Sequence, residues 1–224
     1  MKLYTEFLNL NILKKLYKRT QMTGKVYIAS MNLRGEWAER PHEKCILLNV
    51  TSAQGKTHKN RLQFSPMTEI PGGYKGFWNF ESYWQSLKVF EDIPHEITKK
   101  WWLNLKEPKR RYPKSKGKIV SYSKVDHIEE KLDYISSRKR VYVPEYYNLI
   151  KDRDQLKVYK EFLKNGNDVV VYDFDGPRKP NRDVDCKEVT IELLKEKLND
   201  LQFPYGHGYI VAGLLLDILP EKYI

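Results

Sequence analysis

GFWNFESYWQSLKVFEDI, residues 76–93, sets Phe77, Phe80, Trp84 and Leu87 along one helical face and Glu81, Gln85 and Lys88 along another. Steps of four and then three residues return to nearly the same azimuth on a helix, so a carboxylate, an amide and an ammonium project together. Asn79 is a good N-cap and Pro94 stops the helix, which sets its expected span. Such a face is either a polar ladder turned to water or a set of reactive groups carried into a pocket. In the second case the aromatic neighbours strip water from Glu81 and raise its pKa toward neutrality, the tuning that general acid–base chemistry requires.

The segments on either side give the frame. Residues 4–19, YTEFLNLNILKKLYKR, have helical apolar spacing and end in a basic turn, so residues 1–24 are expected as an N-terminal helical extension of a domain spanning 25–224. KVYIAS (25–30) and KCILLNV (44–50) read as strands, the second apolar enough to be buried on both faces. The polar loop between them, MNLRGEWAERPHE, displays Asn32, Arg34 and Trp37 as candidate substrate contacts. Residues 51–75 read mostly as loop. A second helix is expected over about 94–105, with Pro94 in its first turn. At least one of its neighbouring tryptophans, Trp101 and Trp102, belongs in the core. KIVSYS (118–123) is a strand, 125–140 is helical in part, and 143–166 is one long helix or two short ones ending at Asn165 and Gly166. DVVVYDFDG (168–176) is the clearest buried strand, followed by an amphipathic helix over 187–201 and a glycine-containing turn that opens into an apolar helix over 203–219. This order predicts a single-domain α+β fold, mainly helical with a small β-sheet.

Composition narrows the function classes. No run of about 18 apolar residues is present and the N-terminus lacks the pattern of a secretory signal, so no membrane span is expected, and the cytoplasm (a host cell's, for a viral protein) is the expected compartment. The two cysteines, Cys45 and Cys186, fit a reducing compartment, and no Cys/His set has familiar zinc spacing, so no metal is expected. A formal net charge of +11 draws the chain toward polyanions, either nucleic acid or a phosphorylated small molecule. The loop 106–118, KEPKRRYPKSKGK, has one acid against seven basic residues and makes Lys109, Arg110 and Arg111 candidate nucleic-acid contacts.

Four apolar residues ahead of Asp-x-Asp-Gly, VVVYDFDG, resemble the nucleophile strand of haloacid-dehalogenase phosphatases. That strand comes early in the phosphatase fold, whereas here about fifty residues remain, without a Gly-Asp-x-x-x-Asp segment. The geometry nevertheless places Asp173 and Asp175 at a strand end, i and i+2, on one face. They are either a base with its orienting partner or caps of the following turn paired with Arg178 or Lys179.

ESYWQSLK, Glu81 to Lys88, resembles the Glu-His-Tyr-x-Gln-x-x-Lys helix of the NADAR family, the riboflavin-biosynthesis-associated proteins. VYIAS is similar to the family's first strand, MNLRGEWAE to its polar substrate loop, and YGHGYIVAGLLLDI to its closing glycine-rich turn and helix, covering about residues 25–218. Ser82 stands where the family has His, and Ile210 where it has Asn. The resemblance implies a NADAR-like fold and N-glycosidase chemistry without a cofactor. The bond cut joins ribose to an amine or base, in phosphoribosyl riboflavin precursors or in ADP-ribosylated guanine of nucleic acid.

Cleavage through an oxocarbenium-like sugar suits a carboxylate that stabilises charge or activates water, which makes Glu81 the first catalytic candidate, with Asp175 and Lys88 beside it. Lys88 and Arg34 suit phosphate, Trp37, Tyr83 and Trp84 suit base stacking, and Gln85 and Asp173 complete the substrate contacts. Lys88 could instead form a Schiff base with an opened ribose. His207, between two glycines at a helix start, is placed for a phosphate or a leaving-group proton. A module that binds ADP-ribose or nucleic acid without catalysis is the alternative from another class.

Overall fold

The computed structural model describes residues 24–31, 40–124 and 127–218. Its strands are β1 (Val26–Ser30), β2 (Ile46–Asn49), β3 (Lys88–Phe90), β4 (Ile119–Lys124), β5 (His127–Leu132), β6 (Val169–Asp173) and β7 (Cys186–Glu188). Its helices are α1 (Lys59–Phe64), α2 (Phe80–Ser86), α3 (His95–Asn104), α4 (Tyr134–Ser137), α5 (Val143–Ile150), α6 (Asp154–Lys164), α7 (Ile191–Asn199) and α8 (His207–Leu215). The result is an α+β domain with two small sheets where one was expected. A single apolar cluster joins both sheets and their helices.

The run VVVYD makes β6 the middle of the first sheet, because a strand buried at every position needs neighbours on both edges and cover on both faces. The order is β2-β6-β1-β7, with β1 and β2 parallel to β6 and β7 antiparallel to β1. Ser30 therefore lies beside Asp173, and Asn49 beside Tyr172, at the carboxyl ends of three parallel strands. One face of this sheet packs on α8, whose residues are all buried. A helix apolar on every side has to be central rather than superficial. The opposite face carries a smaller cluster of Ala29, Met31, Cys45, Val170 and Tyr172.

The second sheet is the antiparallel array β3-β4-β5, and it corrects the reading of residues 76–93. The Asn79 side chain caps α2 as expected, accepting from the Ser82 N–H at 2.7 Å. The helix then stops at Ser86, and Lys88 sits on β3 opposite Tyr122 of β4. The β-branched and aromatic residues Val89 and Phe90 gain a strand partner there, and the Leu87 carbonyl accepts from the Ser123 N–H at 2.8 Å. Lys88 is thus not on the helical face of Glu81 and Gln85.

Residues 127–132, inside the stretch read as partly helical, form β5. After α4 the chain makes a wide π turn over Arg138–Tyr142, with the Val143 N–H bonded to the Arg138 carbonyl. Pro144, at the start of α5, has no N–H to return to Arg140, which favours the widened turn. Residues 143–166 resolve into the two helices α5 and α6, and Gly166 adopts φ +82° just beyond the Asn165 cap. Trp102 is fully buried and Trp101 partly so. The expected N-terminal helix lies outside the described residues.

Candidate functional site

Glu81 and Gln85 on α2 point the same way, as the four-residue spacing requires, and Gln85 Nε2 donates to Glu81 Oε1 at 2.7 Å. They line a cavity of about 550 Å³, with Lys88 from β3, Tyr122 from β4 and Asp175 from just beyond β6. Tyr134, Arg138, Tyr142 and Tyr205 close it. The size suits a nucleotide-like small molecule, and the position agrees with the tendency of ligands to bind beyond the carboxyl ends of parallel strands.

Glu81 is half-buried at the first turn of its helix. Loss of water pushes its carboxyl above the usual carboxylate range, against the opposing pull of the Gln85 hydrogen bond and the charges of Lys88, His207 and Arg110. Burial likewise pushes the Lys88 ammonium below its ordinary value, restrained by the carboxylates of Glu81 and Asp175. Asp175 has solvent access at the rim but is crowded on its protein side. Desolvation there, with the neighbouring Asp173 and Glu81 carboxylates, pushes it up to about 6, while His207 and Arg110 pull it down. Three groups that would titrate far from neutrality in water are therefore drawn toward it within one cavity, the pattern expected where proton transfer is done.

Much of the remaining lining is aromatic. Trp84 stacks on Tyr122 (centroids 5.3 Å), Tyr122 stacks on Tyr134 (5.7 Å), and the Arg138 guanidinium lies over the Tyr134 ring at 3.9 Å. Arg138 is 1% exposed and donates to the carbonyls of Asp200 and, at 2.8 Å, Phe203. Its Nε has no hydrogen-bond partner, and no carboxylate pairs with it among the described residues. The Ser121 hydroxyl on the same cavity is also unpartnered. Both residues belong to the cavity lining, with the unpartnered atoms themselves shielded from solvent, so Arg138 places a positive charge just behind the wall, which favours an anionic ligand.

The basic loop 106–118 folds toward the cavity mouth. Arg110 rests over the Phe174 ring at 4.7 Å and its charge acts on both Glu81 and Asp175, while Arg111 acts on Lys88. Lys109 is turned to Glu107 at 3.1 Å.

Glu81, Trp84, Gln85, Lys88 and Asp175 are thus brought together, and three expected contacts are not on the cavity. Tyr83 is in the core, packed edge-on against Tyr74 and Phe77 and tilted against Phe80. Asp173 is 1% exposed and accepts from the Gly208 N–H at 2.7 Å. His207 is buried beside it, with Nε2 donating to the Val50 carbonyl at 2.9 Å and Nδ1 3.3 Å from Asp173 Oδ2. Asp173 and His207 therefore hold the start of α8 behind the cavity wall instead of meeting substrate. Asn32, Arg34 and Trp37 lie outside the described residues.

The sequence reading missed Arg138, Tyr122, Tyr134, Tyr142 and Tyr205. In a chain with sixteen tyrosines and forty lysines and arginines, nothing local distinguishes these from surface residues.

A second depression of about 600 Å³, lined by residues such as Asn49, His58, Asn60 and Tyr159, is more open and has no carboxylate on its lining. Among the described residues, no helix is long and apolar enough to cross a membrane.

Residues 32–189, more than half of the chain, match the model of a family of unknown function (DUF6939), and the chain belongs to that family. No curated protein and no solved structure matches it.

Proposed function

We propose that this DUF6939 member is an N-glycosidase that hydrolyses a ribosyl N-glycosidic bond, with ADP-ribose on a guanine of nucleic acid as the foremost substrate. The observation behind this reading is the desolvated Glu81 carboxylate beside Asp175 and Lys88, facing a cavity with aromatic and cationic walls. The resemblance of Glu81–Lys88 to the NADAR helix supports the same chemistry.

As the bond between the anomeric carbon and the base nitrogen breaks, its electron pair leaves with the base and positive charge builds on the sugar. Ionised Glu81 stabilises that charge and takes a proton from the attacking water, whose oxygen bonds to the anomeric carbon. Asp175, with a pKa near 6, supplies a proton to the departing base. Lys88 holds phosphate, the buried Arg138 adds positive charge behind the wall, and Trp84 with its tyrosine neighbours packs against the base or the adenine.

The reaction is tested by incubating the protein with an ADP-ribosylated oligonucleotide and, separately, with phosphoribosyl riboflavin-pathway intermediates. Release of ADP-ribose from the first is expected. Release of ribose phosphate from the second alone would move the assignment to the small metabolite, and release from neither would remove the hydrolase.

The pKa directions set a pH profile. Activity needs Glu81 ionised, so kcat/KM is expected to rise with pH through an apparent value above the ordinary 4.5 of a glutamate. It needs Lys88 protonated, so the rate falls again below the ordinary 10.5 of a lysine. It also needs Asp175 protonated, so the decline on the alkaline side begins near 6 and the profile is a bell whose two inner limbs belong to Glu81 and Asp175 as an interacting pair. A profile flat from pH 5 to 10 would exclude both roles.

The basic loop has its own readout. Replacing Lys109, Arg110 and Arg111 by Ala is expected to weaken oligonucleotide binding and to reduce the slope of log affinity against log salt by about 2, at ~0.7 per phosphate contact of a single strand. An unchanged slope would take the loop out of the interface.

A further inference from the structure

At the end of the first sheet away from the cavity, His42, Cys45 and Asp168 bring a ring nitrogen, a sulfur and a carboxylate oxygen to within 4.8 Å of one another. The topology creates this meeting. Because Ile46 of β2 pairs with Val169 of β6, the residues just before them, Cys45 and Asp168, are neighbours at the amino ends of parallel strands. His42 joins them through a tight turn closed by the Cys45 N–H to the His42 carbonyl at 3.3 Å. A turn of this kind brings the side chains of its first and fourth residues together. Imidazole nitrogen, thiolate sulfur and carboxylate oxygen are all zinc ligands, and here the turn supplies two of them while a distant strand supplies the third.

The contact geometry separates a metal site from a proton relay. In a relay the imidazole uses one nitrogen toward the thiol and the other toward the carboxylate. Here both contacts fall on the same atom: His42 Nε2 is 2.8 Å from Asp168 Oδ2 and 3.4 Å from Cys45 Sγ. One lone pair or one hydrogen cannot serve both partners well, whereas a cation among three donors satisfies all of them. Around tetrahedral zinc, ligand atoms lie ~3.3 to 3.7 Å apart, so the nitrogen–oxygen pair has to open by about 0.5 Å and the sulfur–oxygen pair, within 4.8 Å, to close by about 1 Å, which rotation of the exposed His42 and of the carboxylate can supply.

The support around the ligands fits as well. The other carboxylate oxygen, Asp168 Oδ1, accepts from the Lys25 N–H at 2.7 Å, which fixes the carboxylate's orientation as outer partners do in metal sites. The Lys25 ammonium is turned to Glu188 at 2.8 Å and so does not occupy the site. Cys45 is buried while His42 is exposed, leaving an entry path and a fourth position for water.

We propose that His42, Cys45 and Asp168 bind a thiophilic divalent cation, zinc first, clamping the segment that enters β2 to the amino end of β6. On binding, the Cys45 thiol gives up its proton to solvent and the resulting thiolate bonds to the metal. With one thiolate, one carboxylate and a neutral imidazole, the ligand charge balances a divalent ion. The length of β6 separates this site from the cavity, ~16 Å at 3.3 Å per residue, so its role is structural and independent of the proposed hydrolysis.

The test is titration of the reduced, metal-free full chain with cobalt(II) under anaerobic conditions. Wild type is expected to develop a sulfur-to-cobalt charge-transfer band in the near ultraviolet and intense visible bands of tetrahedral cobalt at one equivalent, both reversed by zinc. Cys186→Ser should keep the bands and Cys45→Ser should lose the charge-transfer band. Should Cys45→Ser fail to fold, His42→Ala, at an exposed position, should weaken cobalt binding at least tenfold. Absence of the bands in wild type, or their survival in Cys45→Ser, would overturn the site. So would unchanged cobalt affinity in His42→Ala.

Discussion

Glu81→Gln is expected to lower the rate of ADP-ribose release about 10³-fold while leaving ligand affinity within about threefold, because general base catalysis of this kind supplies ~10² to 10⁴ in rate. The amide has nearly the shape of the carboxylate and stays within reach of Gln85, which now holds Glu81 Oε1 at 2.7 Å, so the cavity is preserved. What is lost is the negative charge that meets the oxocarbenium ion and accepts the water proton. Single-turnover rates set beside equilibrium binding separate the two effects. A binding module without catalysis would show neither turnover in wild type nor any effect of the substitution on function.

Stability gives the same substitution a second readout with a definite sign. The folded-state pKa of Glu81 is raised, so the ionised carboxylate is disfavoured by the fold, and its cost grows as pH rises through that value. Glu81→Gln should therefore raise the Tm at neutral pH, and the difference should vanish in acid, where both side chains are neutral. A Tm that falls at neutral pH would mean that Glu81 is a structural partner, not a desolvated reactive group.

The central strand and the start of α2 were legible because their signals are local. VVVYD has no polar position until its end, and Asn79 caps whatever helix follows it. Lys88 shares the cavity with Glu81, as helical spacing predicts, but reaches it by another path. The helix breaks at Ser86, and pairing of β3 with β4 returns the ammonium to the carboxylate. That pairing is long-range, and periodicity within residues 76–93 carries no information about it.

Arg138 shows the limit more sharply. Its burial without a carboxylate partner among the described residues depends on the Asp200 and Phe203 carbonyls that accept from it, about sixty residues away, and cannot be read from its neighbours in sequence. The metal cluster was hidden for the same reason. His42 and Cys45 form a suggestive pair, but the third ligand, Asp168, is supplied by strand register.

Asp173→Ala is expected to cost about 3–5 kcal/mol of folding stability, the range for removing one partner from a buried charged network. Asp173 Oδ2 accepts from the Gly208 N–H at 2.7 Å, and Oδ1 lies 3.4 Å from the Asp175 N–H. His207 faces it through Nδ1 while Nε2 is committed to the Val50 carbonyl, so the alanine variant strands a buried imidazole as well as an amide. The glycines on either side of His207 exist for this contact. A Cβ on Gly206 would sit 2.3 Å from Asp173 Oδ2, and one on Gly208 2.7 Å from Asp173 Cβ. Asp173→Asn, which keeps the shape and one acceptor, should cost less, about 1–3 kcal/mol. Urea denaturation of the three proteins measures both differences. Had Asp173 been a substrate contact held ionised against the fold's preference, its removal would leave stability unchanged or raise it, so a gain in the alanine variant would return Asp173 to the reactive groups and take it out of the scaffold of α8.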